Sequence, residues 1–169
     1  MSNQFPTLLI QKDENHFVED GAMFYEDFVV GRVIESSHGR TIIESDCVSL
    51  TILLGIESQP HTNRDFAKKS EFGDLIVEHI VTFGMAVGIH SRLISGHAAA
   101  NLEFDEIKAL KPVKINDTIY VSSEVISARE SKSRPKQGLV KVMLIIRNQH
   151  GDVVMTGTRT MLVWKRNAS

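Results

Sequence analysis

Residues 75–94 carry apolar side chains on nearly every helical face: Leu75, Ile76, Val77, Ile80, Val81, Phe83, Met85, Val87, Ile89, Leu93 and Ile94. A helix that is apolar all round is buried inside a domain rather than laid on its surface, so the rest of the chain has to wrap it. Glu78, His79, Thr82, His90 and Arg92 interrupt the run, which therefore falls short of the roughly 18 uninterrupted apolar residues of a membrane span. Gly84 and Gly88 lie four apart on one face. Glycine costs about 1 kcal/mol relative to alanine in a helix interior, so its use predicts close approach of another backbone. A sheet wrapped tightly on the helix is preferred here to a membrane dimerisation motif.

After Gly96 the period changes. Residues 98–109, 118–128, 139–148 and 153–164 are rich in Val, Ile, Tyr and Thr and partly alternate, as strands do. The breaks at 112–117, 131–138 and 149–152 are short, which favours antiparallel neighbours, and His150-Gly151-Asp152 resembles a tight hairpin turn. Upstream, Glu44 and Asp46 precede a dense apolar run that Gly55 closes, predicting a helix over 44–54. Residues 24–40 read as a strand entering the domain, and residues 1–21 show no clear periodicity. The predicted organisation is an N-terminal arm, 1–22, and one α+β domain, 23–166, with a long central helix inside a curved antiparallel sheet.

A chain of 169 residues fits one domain. Nineteen basic against twenty-one acidic residues, with no long run of like charge, offer no surface for nucleic acid or an anionic membrane. Cys47 is the only cysteine, which excludes an internal disulfide and fits a reducing compartment; its context reads as core packing. The first ten residues lack a basic region followed by an apolar stretch, so the expectation is a cytoplasmic protein. His61, His79, His90 and His97 lack metal-ligand spacing, and neither metal nor other cofactor is expected.

The stretch from Gly55 to Asn63, Gly-Ile-Glu-Ser-Gln-Pro-His-Thr-Asn, places a carboxylate, an imidazole and an amide within seven residues, between the two helices. Around it, Arg40-Thr41-Ile42-Ile43-Glu44-Ser45-Asp46, Asp65-Phe66-Ala67, Ser70-Glu71-Phe72-Gly73, Lys111-Pro112-Val113 and Asn116-Asp117 follow in an order that resembles the MaoC-like dehydratases, the (R)-specific enoyl-CoA hydratases of hot-dog fold. The resemblance runs from about Met23 to Lys165. It implies reversible syn addition of water to an α,β-unsaturated acyl-CoA: a carboxylate activates water, an imidazole exchanges the α-proton, and a donor holds the thioester oxygen as enolate charge develops. CoA thioester is then the substrate, and a homodimer joined edge to edge through its sheets is the implied partner state.

The family pattern Gly-Asp-x-Asn-Pro-x-His matches at His61 and departs elsewhere. Ile56 stands at the aspartate and Ser58 at the asparagine, and the proline is displaced to Pro60. Glu57, one residue along, is the candidate replacement base. Asn63, where aspartate is usual, either positions the loop or touches substrate. At the helix start the family reads Ile-Ala-His-Gly and this chain Ile76-Val77-Glu78-His79. Backbone N–H groups near His79 and Ile80 remain an oxyanion site whatever the side chain, and His79 is also a candidate second acid/base group or a structural histidine. Members acting on branched C4–C5 dicarboxyl-CoA compounds, of the methylmalyl-CoA and mesaconyl-CoA type, show similarly altered helix starts. Two other readings stay open: a hot-dog thioesterase using Glu78, the carboxylate inside the long helix, and a catalytically silent acyl-CoA-binding protein. Lys108, Lys111, Lys114 and the 132–136 loop are candidate partners for the CoA phosphates.

Overall fold

The structure is a computed structural model and describes residues 9–19 and 22–168. Among these, the segment without periodicity contains a small hairpin, β1 (Leu9–Asp13) against β2 (His16–Glu19). After a single 3-10 turn at Tyr25–Asp27 come β3 (Val33–Glu35) and β4 (Arg40–Thr41), shorter than the one strand expected over 24–40. Helices α1 (Glu44–Leu53), α2 (Gln59–Thr62), α3 (Arg64–Lys69) and α4 (His79–Ile94) follow. Strands β5 (Ala98–Ala109), β6 (Thr118–Glu130), β7 (Gln137–Arg147) and β8 (Val153–Trp164) complete the chain.

The main sheet has the order β3-β6-β7-β8-β5, with β4 also paired to β6, and every pairing is antiparallel. Strands β7 and β8 run in continuous register from Gln137↔Trp164 to Ile146↔Met155, and the register shifts before Arg147↔Val153. Their inward positions, among them Val140, Val142, Leu144, Ile146, Met155 and Met161, are buried. Against them α4 lays Val81, Phe83, Ala86, His90 and Ile94. Helix and sheet come close at Gly157 of β8, where an added Cβ would stand 2.8 Å from the Phe83 ring.

Two expectations about the central helix are corrected. Residues 75–78 are extended rather than helical, because the Ile76 N–H donates to Pro60 O (3.2 Å) and the Val77 N–H to Val113 O (2.8 Å). A backbone bound sideways to two neighbours cannot close helical turns, so the helix starts at His79. Gly84 and Gly88 do not meet the sheet: an added Cβ at either would find nothing within 4 Å. They lie on an open face of α4 with Ile80, beside Leu50 and Leu53 of α1 and Leu54 just after it, lining an apolar groove of about 630 Å³. The helix is thus buried on one side only.

The core includes polar groups. His90 is fully buried, with Nδ1 2.7 Å from Ser36 Oγ and Nε2 2.9 Å from Ser123 Oγ. Burial, with a smaller contribution from Arg159, pushes its pKa down to about 4, so the imidazole is neutral inside the protein. Arg159, also buried, donates from Nε to Asn101 Oδ1 (2.7 Å) and lies over Phe104, while its Nη1 has no hydrogen-bond partner among the described residues. Desolvation lowers its pKa. No helix among the described residues is long and apolar enough to cross a membrane.

Candidate active site

The loop after α1 and the approach to α4 are tied together at Ile76. Its N–H binds Pro60 O, its carbonyl accepts from the His61 ring at Nδ1 (2.9 Å), and the residue bridges to Lys114 on the other side. A carbonyl can only accept, so Nδ1 of His61 carries a proton and Nε2 is the nitrogen left free to exchange one. Pro60 in the first turn of α2 is compatible with a helix start, where its missing N–H costs nothing. His61 is thereby fixed beside the amino end of α4.

His61 lines a cavity of about 290 Å³ whose walls also include Phe72, Ile76, Val77, His79, Thr82, Leu110, Val113 and Met155. The walls are mostly apolar, and the polar residues among them are His61, His79, Thr82 and Lys111. No Asp or Glu is among the lining residues. At the helix start Glu78 is buried and serves as the N-cap: Oε2 accepts from the Ile80 N–H (2.5 Å), while Oε1 lies 2.6 Å from Nδ1 of His79. Its Oε1 and Oε2 are therefore each engaged, and its place is the cap of α4 rather than the helix interior assumed from the sequence.

Of the remaining candidates, Glu57, Asn63 and Ile80 fall outside the cavity. Glu57 is exposed and does not line it. Asn63 caps α3, with Oδ1 accepting from the Phe66 N–H (3.1 Å) and Nδ2 donating to Gln59 Oε1 (3.0 Å), a loop-positioning arrangement. The Ile80 N–H is taken by Glu78, and its side chain lies in the groove of the opposite face. Of the lysines, Lys111 lines the cavity and pairs with Asp152 (2.7 Å), and Lys114 donates to Phe72 O. The 132–136 loop lies beyond Trp164, nine residues along β8 from Met155, which is roughly 30 Å at about 3.3 Å per residue. That loop is at the wrong end of the sheet to meet a ligand in the cavity. Among the described residues, no three His, Cys, Asp or Glu side chains come together as metal ligands.

Sequence reading did not single out Thr82, Phe72, Leu110 or Met155 as wall residues. Lys111-Pro112-Val113 carried a usable signal, since Val113 O is what holds Val77 in place. Met155 gave none, because its position opposite the helix depends on register across the sheet.

A curved antiparallel sheet over a central helix, with a histidine-lined cavity at that helix's amino end, defines the chain as a single α+β domain of hot-dog fold. The model of the MaoC-like domain matches residues 27–146, and the chain belongs to that family. It is 29% identical over 146 residues, 86% of this chain, to mesaconyl-CoA hydratase of Cereibacter sphaeroides. It is 31% identical over 144 residues, 85% of this chain, to beta-methylmalyl-CoA dehydratase of Chloroflexus aurantiacus. The chain spans 42% and 41% of the length of these two relatives. Among solved structures, a putative MaoC domain protein dehydratase from Chloroflexus aurantiacus J-10-fl superposes with a TM-score of 0.81 at 30% identity, covering 88% of this chain and 42% of that one.

Proposed function

We propose that the protein catalyses the reversible hydration of an α,β-unsaturated acyl-CoA, with a branched or dicarboxylic C4–C5 acyl group as the preferred substrate. The observation that carries this reading is His61, clamped through Nδ1 to the Ile76 carbonyl and lining an apolar cavity at the amino end of α4. A volume of about 290 Å³ lies just under the small-molecule range, roughly 300 to 1,000 Å³, and suits the acyl thioester end of the ligand rather than the whole of it. In hydration, the water oxygen bonds to Cβ and gives up a proton to a base, the π pair moves toward Cα and the thioester oxygen, and His61, protonated at Nε2, delivers a proton to Cα. Dehydration reverses each step. Such a reaction draws on no redox equivalent, and the reading assigns no cofactor. The relatives named for mesaconyl-CoA and beta-methylmalyl-CoA support the choice of acyl group; the single buried cysteine suits a cytoplasmic setting.

The site is read as belonging to a homodimer. Strand β5 is an edge strand of twelve residues with Leu102, Phe104 and Ile107 exposed along it, and an uncovered edge of that kind invites pairing. The open groove of α4 supplies a second apolar surface to cover.

Purified protein is to be assayed for hydration of crotonyl-CoA and mesaconyl-CoA and for dehydration of the 3-hydroxyacyl counterparts. Turnover that is lost in His61→Ala supports the reading. Release of free thiol without change at the double bond would instead support the thioesterase, although Glu78 with both oxygens engaged is poorly placed for it. Acyl-CoA binding without either reaction would support a silent binding protein.

A further inference from the structure

We propose that His79, held by Glu78, is the base that activates water in this site, replacing the aspartate whose family position is occupied by Ile56. The inference rests on the hydration reading above and supplies the group that reading leaves unassigned. Hydration needs two proton-handling groups, one for water and one for Cα, and His61 accounts for one. Among the described residues no carboxylate lines the cavity, and Glu57 is exposed outside it. The other imidazole in the wall is His79.

The surroundings of His79 are those of a working base. Its Nδ1 lies 2.6 Å from Oε1 of Glu78, and a carboxylate only accepts, so the proton is on Nδ1 and the lone pair is on Nε2. Glu78 is itself immobilised: it is 4% exposed and its other oxygen receives the Ile80 N–H. A fixed carboxylate behind an imidazole sets the tautomer, orients the ring and stabilises the imidazolium that forms when the ring takes a proton, the same logic as in a serine-hydrolase triad. One effect opposes this, because a helix amino terminus disfavours a cation; the hydrogen bond to the Glu78 carboxylate behind the ring acts in the other direction. The family glycine at this position could hold no such group, and the substitution of both helix-start residues, to Glu78 and His79, accompanies the loss of the aspartate.

In the forward step Nε2 of His79 takes a proton from water as the oxygen–Cβ bond forms, and the π electrons pass to the enolate. The protonated His61 then delivers Nε2–H to Cα. One water is added in total, and the proton left on His79 returns to His61 through solvent, to which the His79 side chain is 56% exposed.

His79→Gly restores the residue type usual in the family and gives a helix start the fold accommodates, with His79→Gln as a second variant should the first be unstable. Loss of a general base is expected to lower kcat by about 10²- to 10⁴-fold with KM nearly unchanged. Added imidazole is expected to restore part of the activity of His79→Gly, a recovery that a purely structural role does not produce. Glu78→Gln keeps a cap acceptor and acts through His79, so it should lower kcat in the wild-type background and cause no further loss in the His79→Gly background. A His79→Gly protein with wild-type kcat, or one whose deficit does not respond to imidazole, overturns the assignment while wild-type hydration still stands. A wild-type protein that hydrates none of the acyl-CoA panel removes the underlying reading as well.

Discussion

His90 gives a quantitative handle on the fold. Its imidazole is fully buried, bound at both ring nitrogens to the Ser36 and Ser123 hydroxyls, and its pKa is pushed from 6.5 down to about 4 by burial and secondarily by Arg159. The unfolded chain therefore binds a proton at mildly acidic pH that the folded protein refuses. The stability tied to this difference is complete above the unfolded value and is lost as pH falls from about 6.5 to about 4. One pKa unit corresponds to about 1.4 kcal/mol, so His90 alone should remove about 2 kcal/mol between pH 7.5 and pH 5, and about 3 kcal/mol by pH 4. Urea unfolding followed by circular dichroism at fixed protein concentration measures this directly, with His90→Gln as the reference that hydrogen-bonds without titrating. Other titrating groups cancel in the difference between the two proteins. The expected wild-type loss exceeds that of the variant by about 2 kcal/mol over the first interval; parallel stability profiles would refute the buried neutral imidazole.

Three further perturbations follow from packing and capping. Asn63→Ala removes the cap of α3 and should lower stability by about 1 kcal/mol in a denaturant titration. If Asn63 only positions the loop, the hydration KM of that variant stays within a few-fold of wild type. Gly157→Val forces a side chain against the Phe83 ring and Ile107, and should cost about 1–3 kcal/mol from overpacking, read as a lower thermal midpoint. Arg159→Met keeps the apolar stem and removes a buried cation that has no ion pair among the described residues; its unfolding free energy should be equal to or above that of wild type, and a loss of more than about 2 kcal/mol would show that the guanidinium is a net stabilising contact.

The strands were legible because their signals are local: β-branched runs broken by short turns gave four segments within a few residues of β5 to β8. Helix α1 was legible for the same reason, with Glu44 and Asp46 at its start and Gly55, at φ +69, at its end. The start of α4 was not, since Pro60 and Val113 decide it from 16 and 36 residues away. The facing of Gly84 and Gly88 was misread because spacing shows that two glycines share a face and does not show what lies opposite that face. In the site, a family pattern singled out His61, and His61 lines the cavity. Glu57 was a guess from adjacency in the chain, and it failed to reach the cavity because the turn after α1 leaves it exposed. The Glu78–His79 contact joins neighbouring residues, yet neither spacing nor composition distinguishes a capping carboxylate turned back onto its neighbour from a solvated one.

The claim that most depends on the site is that His61 exchanges the α-proton of a bound acyl thioester. Incubating the protein with a 3-hydroxyacyl-CoA in D₂O and following Cα by NMR tests it without reference to the overall equilibrium. Wild-type protein is expected to introduce deuterium at Cα, and His61→Ala to show no incorporation above the non-enzymatic rate. Undiminished incorporation by His61→Ala would contradict the account.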